Sequence, residues 1–518
     1  MARNRQSWGT RLGIIMAVAG SAVGLGNFLR FPVQAASNGG GAFLIPYFVS
    51  LFLLGIPLMW VEWTLGRYGG GFEHGTAPGI FHTMWQKNRF IKYFGVIGIF
   101  GPLVIFIYYT YVESWTLAYS FFALSGKYTG LTTQDSMQAF LKGFQGLEQN
   151  NHFSGLTSAY VFFLITFLAN IAIIYYGIKG GIEKLCNIAM PLLIVFGIII
   201  TVRVLTLGTP DPAKPAWNLV NGLGFLWNSD FSALRSAKVW LAAAGQIFFT
   251  LSVGIGVILT YASYLKKGDD VVLSGLTAVS MNEFAEVVIG GSIVIPAAFV
   301  FFGPVEIQKV ATSGAFNLGF VTMPLIFGKL IWGAFFGCIW FLLLFLAGIT
   351  SAVSLAQPAV AFLEDEFNIT REKAVVIFGM ATFVLCQPAI FLLGKGVVNE
   401  LDFWGGTFCL VLFATIEVIL FAWIFGMEKA WQEIHHGADM VVPKIYKFII
   451  KYVTPIFLFL ILGFWLYQDG MPTILMKNVS ESDRPFILAT RLFLAFIFAV
   501  LAILVKIAWA KKRGRARP

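Results

Sequence analysis

Twelve stretches of this chain are long and apolar enough to cross a lipid bilayer. They lie near residues 11–37, 41–66, 91–124, 158–178, 187–208, 238–265, 275–302, 332–362, 374–393, 398–425, 447–467 and 486–509. A span needs about 20 mainly apolar residues. Backbone inside hydrocarbon has no water to bond with, so each span must satisfy its own N–H and C=O groups as a helix. The pattern predicts an all-α integral membrane protein of twelve transmembrane helices. Composition agrees: 58% of residues are hydrophobic and 12% charged, against about 25% charged in soluble domains. These values exclude a disordered chain, a secreted disulfide scaffold and an ordinary soluble enzyme. Cys186, Cys338, Cys386 and Cys409 sit singly in apolar runs with no CxxC pair, so they are expected to be membrane-core thiols.

The formal charge of +10 could point to nucleic acid, but the basic residues fall between the apolar runs. With the N-terminus inside, 23 of the 36 lysines and arginines fall on inside loops and ends and 12 on outside ones; Arg30 lies within the first run. That bias predicts both termini in the cytoplasm, an even number of spans and no nucleic-acid partner. The basic tail from Lys511 fits an inside anchor, with a lipid-headgroup role as the weaker reading.

Two runs are not uniform. The first carries Val23-Gly24-Leu25-Gly26 and the sixth Val253-Gly254-Ile255-Gly256, 230 residues apart, each opening a set of five spans. Glycine inside a helix costs about 1 kcal/mol relative to alanine. One such pattern is equally served by close helix packing. Two copies at corresponding positions, beside Asn27 and Thr250, predict two helices broken at the membrane midplane. A nucleotide-binding reading fails, because no third glycine follows Gly24-x-Gly26. No HExxH, Walker A or GxSxG motif is present, and His435-His436 reads as a solvated pair.

Polar groups at membrane depth are costly and mark function. Arg30, Glu62, Glu113, Gln246, Asn282, Glu283, Glu286 and Glu417 all fall in or near spans, although any one alone could be a satisfied interhelical hydrogen bond. A broken helix offers free N–H groups to an anion such as a carboxylate, and free carbonyls to a cation. Asn27, Thr250, Asn282, Thr350 and Ser351 add side-chain oxygens, and no histidine or cysteine cluster offers soft ligands. That donor set favours a hard monovalent ion such as Na⁺.

The runs GSAVGLGNFLRFP (20–32), NGGGAF (38–43), GQIFFTLSVGIG (245–256), TYASY (260–264), NEFAE (282–286), AGITSA (347–352) and LDFWGGT (401–407) resemble the neurotransmitter:sodium symporter family, its bacterial leucine-transporting members most closely. The resemblance spans essentially the whole chain. It implies a first sodium site from Ala22, Asn27, Thr250, Asn282 and the substrate carboxylate, and a second from Gly20, Val23, Ala347, Thr350 and Ser351. The substrate carboxylate would meet the amides near Leu25 and Gly26 and the Tyr109 hydroxyl. Its ammonium would meet Ala22, Phe249, Thr250 and Ser252. Its side chain would sit among Ile105, Phe249, Ile255, Ser351 and Leu355. An outer gate is implied at Arg30 and Asp402 above Tyr109 and Phe249, and an inner gate at Arg5 and Asp365 with Trp8, Ser263 and Tyr264. Amine-carrying members have an aspartate where this chain has Gly24, which implies that the substrate brings its own carboxylate. Chloride-dependent members have a serine where this chain has Glu286, so that carboxylate is the expected chloride substitute and no chloride requirement is expected.

The expectation is therefore a five-plus-five inverted repeat, residues 1–208 and 209–425, with two additional helices and a basic tail in 426–518. The chain would be a sodium-coupled symporter for neutral, aliphatic amino acids, working by alternating access in a bacterial-type plasma membrane. A transporter-like amino-acid receptor is the other reading, and a homodimer stays open. An enzyme is not expected.

Overall fold

The computed structural model describes residues 6–312, 314–477 and 479–515. Among them there is no strand, only one isolated bridge between Gly40 and Ser229. The apolar runs form helices α1 (Arg11–Ala22), α2 (Leu25–Ser37), α3 (Gly41–Gly70), α4 (Ile91–Ser125), α5 (Thr157–Tyr175), α6 (Ile178–Leu205), α7 (Ala237–Leu251), α8 (Val257–Ala262), α9 (Val272–Ile307), α10 (Gly333–Phe367), α11 (Arg371–Phe391), α12 (Val397–His435), α13 (Ile445–Gln468) and α14 (Arg484–Lys511).

By length and composition, ten of these can cross a bilayer, or eleven when the bent pair α1 and α2 counts as one span. The count falls short of twelve at residues 238–265. That run divides into the 15-residue α7 and the 6-residue α8, neither long enough alone. The sequence also under-read the loops. Helices form at Gln134–Phe144, Leu219–Trp227 and Ala315–Asn317, all between expected spans.

Burial separates centre from rim. The apolar windows of α4 and α10 are 89% and 83% buried, those of α5, α6, α13 and α14 only 33%. Apolar side chains gain nothing by leaving lipid, so a wholly buried helix is held by packing and by polar contacts. Small residues permit that packing. Gly348 of α10 lies against Glu113 of α4, whose Cγ would be 2.9 Å from an added Cβ. Glu113 in turn accepts from Asn170 of α5 at 3.0 Å and 3.2 Å. α4 and α10 thus form a pillar against which the interrupted helices rest.

Candidate functional site

Helix α1 stops at Ala22 and α2 starts at Leu25, bent by 48°. Asn27 caps the second half: its Oδ1 accepts the Gly24 N–H at 2.9 Å. Between α7 and α8 the chain runs through Ser252 (φ 53°), Gly254 (φ 77°) and Gly256 (φ 81°), a left-handed stretch that ends one helix and starts the next. The Gly254 N–H donates to Glu62 of α3. Ser252 joins the two interruptions, its hydroxyl donating to the Ser21 carbonyl at 2.8 Å.

A cavity of about 60 Å³, counted as space open to the centre of a water molecule, lies at this junction. Ala22, Leu25, Ile105, Tyr109, Phe249, Ser252, Ile255, Ser351 and Leu355 line it, nine of the eleven residues expected for the substrate. The other two point elsewhere. Thr250 bonds with Asn27 and Asn282, and Gly26 faces the outer side of Phe249. Its lining joins polar groups, among them the Leu25 nitrogen 3.5 Å from the Tyr109 hydroxyl, with the aliphatic side chains of Ile105, Ile255 and Leu355. The sequence reading missed Ser21, Tyr108, Ser354, Gly406 and Leu410 in the lining. Ser354 had a signal: it is three residues after Ser351, on the same helix face, and bonds Ser21 at 2.8 Å.

The residues expected at the first sodium site converge. Asn282 Oδ1 lies 3.2 Å from the Thr250 carbonyl oxygen and 3.3 Å from the Ala22 carbonyl oxygen. Reversing the amide would let its nitrogen donate to both carbonyls. It would also set that nitrogen 2.8 Å from Asn27 Nδ2, and Asn27 cannot turn, because its oxygen is held by the Gly24 N–H. A hard cation between these oxygens is compatible with those separations. Two oxygens at right angles, each about 2.3 Å from a hard cation, stand about 3.3 Å apart. Asn282, Thr250 and Ala22 therefore turn oxygens toward a place that suits a hard ion, whereas Asn27 turns its NH₂ group to Asn282 and Thr250 and its oxygen to Gly24. At the second expected site, Ser351 Oγ lies 2.9 Å from the Ala347 carbonyl and 3.3 Å from that of Gly20. Thr350 Oγ1 lies 3.2 Å from Ala347. Val23 is buried beside them, its N–H donating to Ala19. Glu286 is buried behind the first site, accepting from Tyr47 at 2.7 Å and from Gln246.

The gates are arranged differently from expectation. Arg30 and Asp402 face one outer cavity of about 180 Å³, bounded by Phe249 and Tyr109. They do not form an ion pair. Arg30 lies over the Phe249 ring at 4.6 Å, and Asp402 accepts from Tyr108 at 2.6 Å. Both line the same cavity of about 180 Å³, Arg30 against an aromatic face and Asp402 on a hydroxyl. Among the residues expected at the inner gate, Trp8 donates to the Tyr261 carbonyl at 2.9 Å. Gln357 bridges Tyr264 at 2.7 Å and Arg371 at 2.9 Å, and Arg371 also pairs with Glu364 at 3.1 Å. Ser263 turns back to the Thr260 carbonyl, and Asp365 is half-buried near the end of α10. Arg5 lies outside the described residues.

The sodium:neurotransmitter symporter family model matches residues 5–130 and 123–507. A sodium-dependent transporter of Methanocaldococcus jannaschii is 30% identical over 98% of this chain and 99% of its own length. A sodium- and chloride-dependent glycine transporter of Xenopus laevis is 25% identical over 90% of this chain and 64% of its own. The crystal structure of MhsT with L-phenylalanine superposes with a TM-score of 0.75, at 31% identity, covering 89% of this chain and all of that one. With helices interrupted around an oxygen-lined cavity and a family match along nearly its whole length, this chain belongs to the sodium:neurotransmitter symporter family.

Proposed function

We propose that this chain is a Na⁺-coupled symporter for neutral, aliphatic amino acids. The observation that carries this is the set of Asn282, Thr250 and Ala22 oxygens, with Asn282 Oδ1 3.2–3.3 Å from the two carbonyls, beside a cavity lined by both polar and aliphatic residues. In this reading two Na⁺ ions are cargo. The first is held by Ala22, Asn27, Thr250 and Asn282, the second by Gly20, Val23, Ala347, Thr350 and Ser351. The substrate carboxylate meets Leu25, Gly26 and Tyr109 and completes the first site. MhsT was crystallised with phenylalanine; here Ile105, Ile255 and Leu355 line the cavity, which supports an aliphatic side chain. An apolar pocket discriminates one methylene by about 1–3 kcal/mol, so several aliphatic amino acids should pass.

The chain crosses the plasma membrane twelve times as a five-plus-five inverted repeat with two extra helices, both termini in the cytoplasm. Two charges moving inward supply about 4.6 kcal/mol per 100 mV, from about 2.3 per charge. That supports accumulation on the order of 10³-fold at about 1.36 kcal/mol per decade. Glu286, held by Tyr47 and Gln246, provides the fixed negative charge that makes chloride unnecessary.

The test is binding and vesicle uptake of a twenty-amino-acid panel in Na⁺ and in choline. Leucine-like substrates should bind and accumulate only in Na⁺. Unchanged affinity in choline would sink the reading, and Na⁺-dependent binding without accumulation would leave a receptor. Uptake in gluconate should match that in chloride, and Glu286→Ser should acquire a chloride requirement.

A further inference from the structure

The first turn of α1 is held by a carboxylate from another helix. Glu183 of α6, buried at 5% exposure, accepts the Gly9 N–H at 2.7 Å, the Thr10 N–H at 3.1 Å and the Thr10 hydroxyl at 2.9 Å. A helix start leaves N–H groups unsatisfied and carries partial positive charge, so an anion there is stabilising. Thr10 itself caps the helix, its Oγ1 accepting the Gly13 N–H at 2.9 Å. Gly13 is what makes room for the carboxylate: an added Cβ would stand 2.2 Å from Glu183 Oε1.

The same face of α6 touches α1 again nearer the cavity. Residues 183, 186 and 190 follow helical spacing. The sulfurs of Cys186 and Met190 both lie 3.4 Å from where a Cβ on Gly20 would sit. The Gly20 carbonyl is one of the oxygens around Ser351. One helix face therefore holds α1 at its capped start by charge and at Gly20 by close packing.

We propose that Glu183 is a positioning residue, a clasp that holds the half-helix α1 shut on the inner side and thereby keeps the Gly20 carbonyl at the second sodium site. The inference rests on the symport reading above. Releasing the clasp lets α1 leave α6, lowers Na⁺ affinity and opens the α1–α6 seam to water.

Cys186 is a built-in reporter, because its thiol is fully buried in that seam. In a chain carrying Cys338→Ala, Cys386→Ala and Cys409→Ala, labelling by a charged methanethiosulfonate is followed from the inner side of oriented vesicles in saturating Na⁺. Parent Cys186 should react slowly. Glu183→Ala should react at least about tenfold faster, with the Na⁺ needed for half-maximal binding raised by a similar factor. Gly13→Ala leaves the carboxylate intact but fills its place, and should give the same two changes. Slow labelling and an unchanged Na⁺ requirement in Gly13→Ala overturn the clasp, and so does that result in Glu183→Ala. Should Glu183→Ala not fold, Glu183→Gln and Gly13→Ala decide alone. A parent that binds substrate equally in choline would defeat the symport reading instead, while the labelling contrast would still report whether Glu183 holds the seam.

Discussion

The two helix interruptions share a sequence pattern but are built on different physics. The break at Val23-Gly24 is short, and neither Gly24 nor Gly26 has a positive φ; Gly24 sits at φ −114°. Its glycines are there for what must come close: Ser351 and Tyr109 against Gly24, and the Phe249 ring against Gly26. The break from Ser252 to Gly256 takes three left-handed residues. There Gly254 and Gly256 supply the conformation itself, and their nearest neighbours are backbone, the Leu410 and Gly98 carbonyls. The first break therefore leaves room for ligand and movable side chains, while the second is locked into the scaffold. A repeated motif marks corresponding positions without implying that each glycine does the same job.

This contrast is open to direct test by single alanines. Gly256→Ala should have the largest effect. The residue would pay about 1–2 kcal/mol for a left-handed conformation. Its Cβ would also stand 2.5 Å from the Gly98 carbonyl oxygen, an overlap with backbone that typically costs about 1–3 kcal/mol. Folded yield in detergent and the melting temperature should both fall sharply; a protein that melts like the parent would show that this break is as forgiving as the other.

Gly26→Ala should come next, through function and not folding. Its Cβ would meet Phe249 Cε1 at 2.5 Å, and a side chain can swing away where backbone cannot. The ring would leave its place between the inner and outer cavities. Substrate affinity should fall about tenfold while the melting temperature stays within a few degrees. Loss of the fold would erase the distinction between the breaks.

The smallest effect is expected for Gly24→Ala. The added methyl would lie 3.2 Å from Ser351 Oγ and 3.4 Å from the Tyr109 hydroxyl, tight but adjustable. Stability should be unchanged and substrate affinity reduced a few-fold. No change in the binding isotherm would place the substrate away from this break.

The apolar runs were readable because hydrocarbon demands an internally bonded helix of a set minimum length, and every one of the twelve windows contains helix in the structure. The polar residues proposed for the sodium sites stood out in the sequence for a similar reason. Asn27, Thr250, Asn282, Thr350 and Ser351 are polar groups in apolar surroundings, which need a partner. Helix Gln134–Phe144, at 11 residues, is too short to show as a span; it packs through Phe140 on Tyr119 and Phe122 of α4. The partners of the expected outer gate were not legible for the converse reason: Arg30 and Asp402 share a cavity, but whether two charges meet depends on packing, which sets Arg30 over Phe249 and Asp402 on Tyr108.

What the sequence by itself determined is the set of constraints each residue carries with it. These are an all-helical membrane chain, two glycine-marked interruptions, and oxygen-bearing side chains in the apolar runs with no cluster of sulfur or imidazole. What only the tertiary structure decided is how those residues spend their freedom. It decided which glycine serves conformation and which serves clearance, and that Asn27 holds Asn282 with its oxygen toward two carbonyls. It also placed a carboxylate 173 residues from Thr10 on the start of the first helix. Hydropathy and backbone propensity act along the chain and can be read there; clearance and hydrogen-bond partnership exist only between segments, once packing has brought them within a few ångströms.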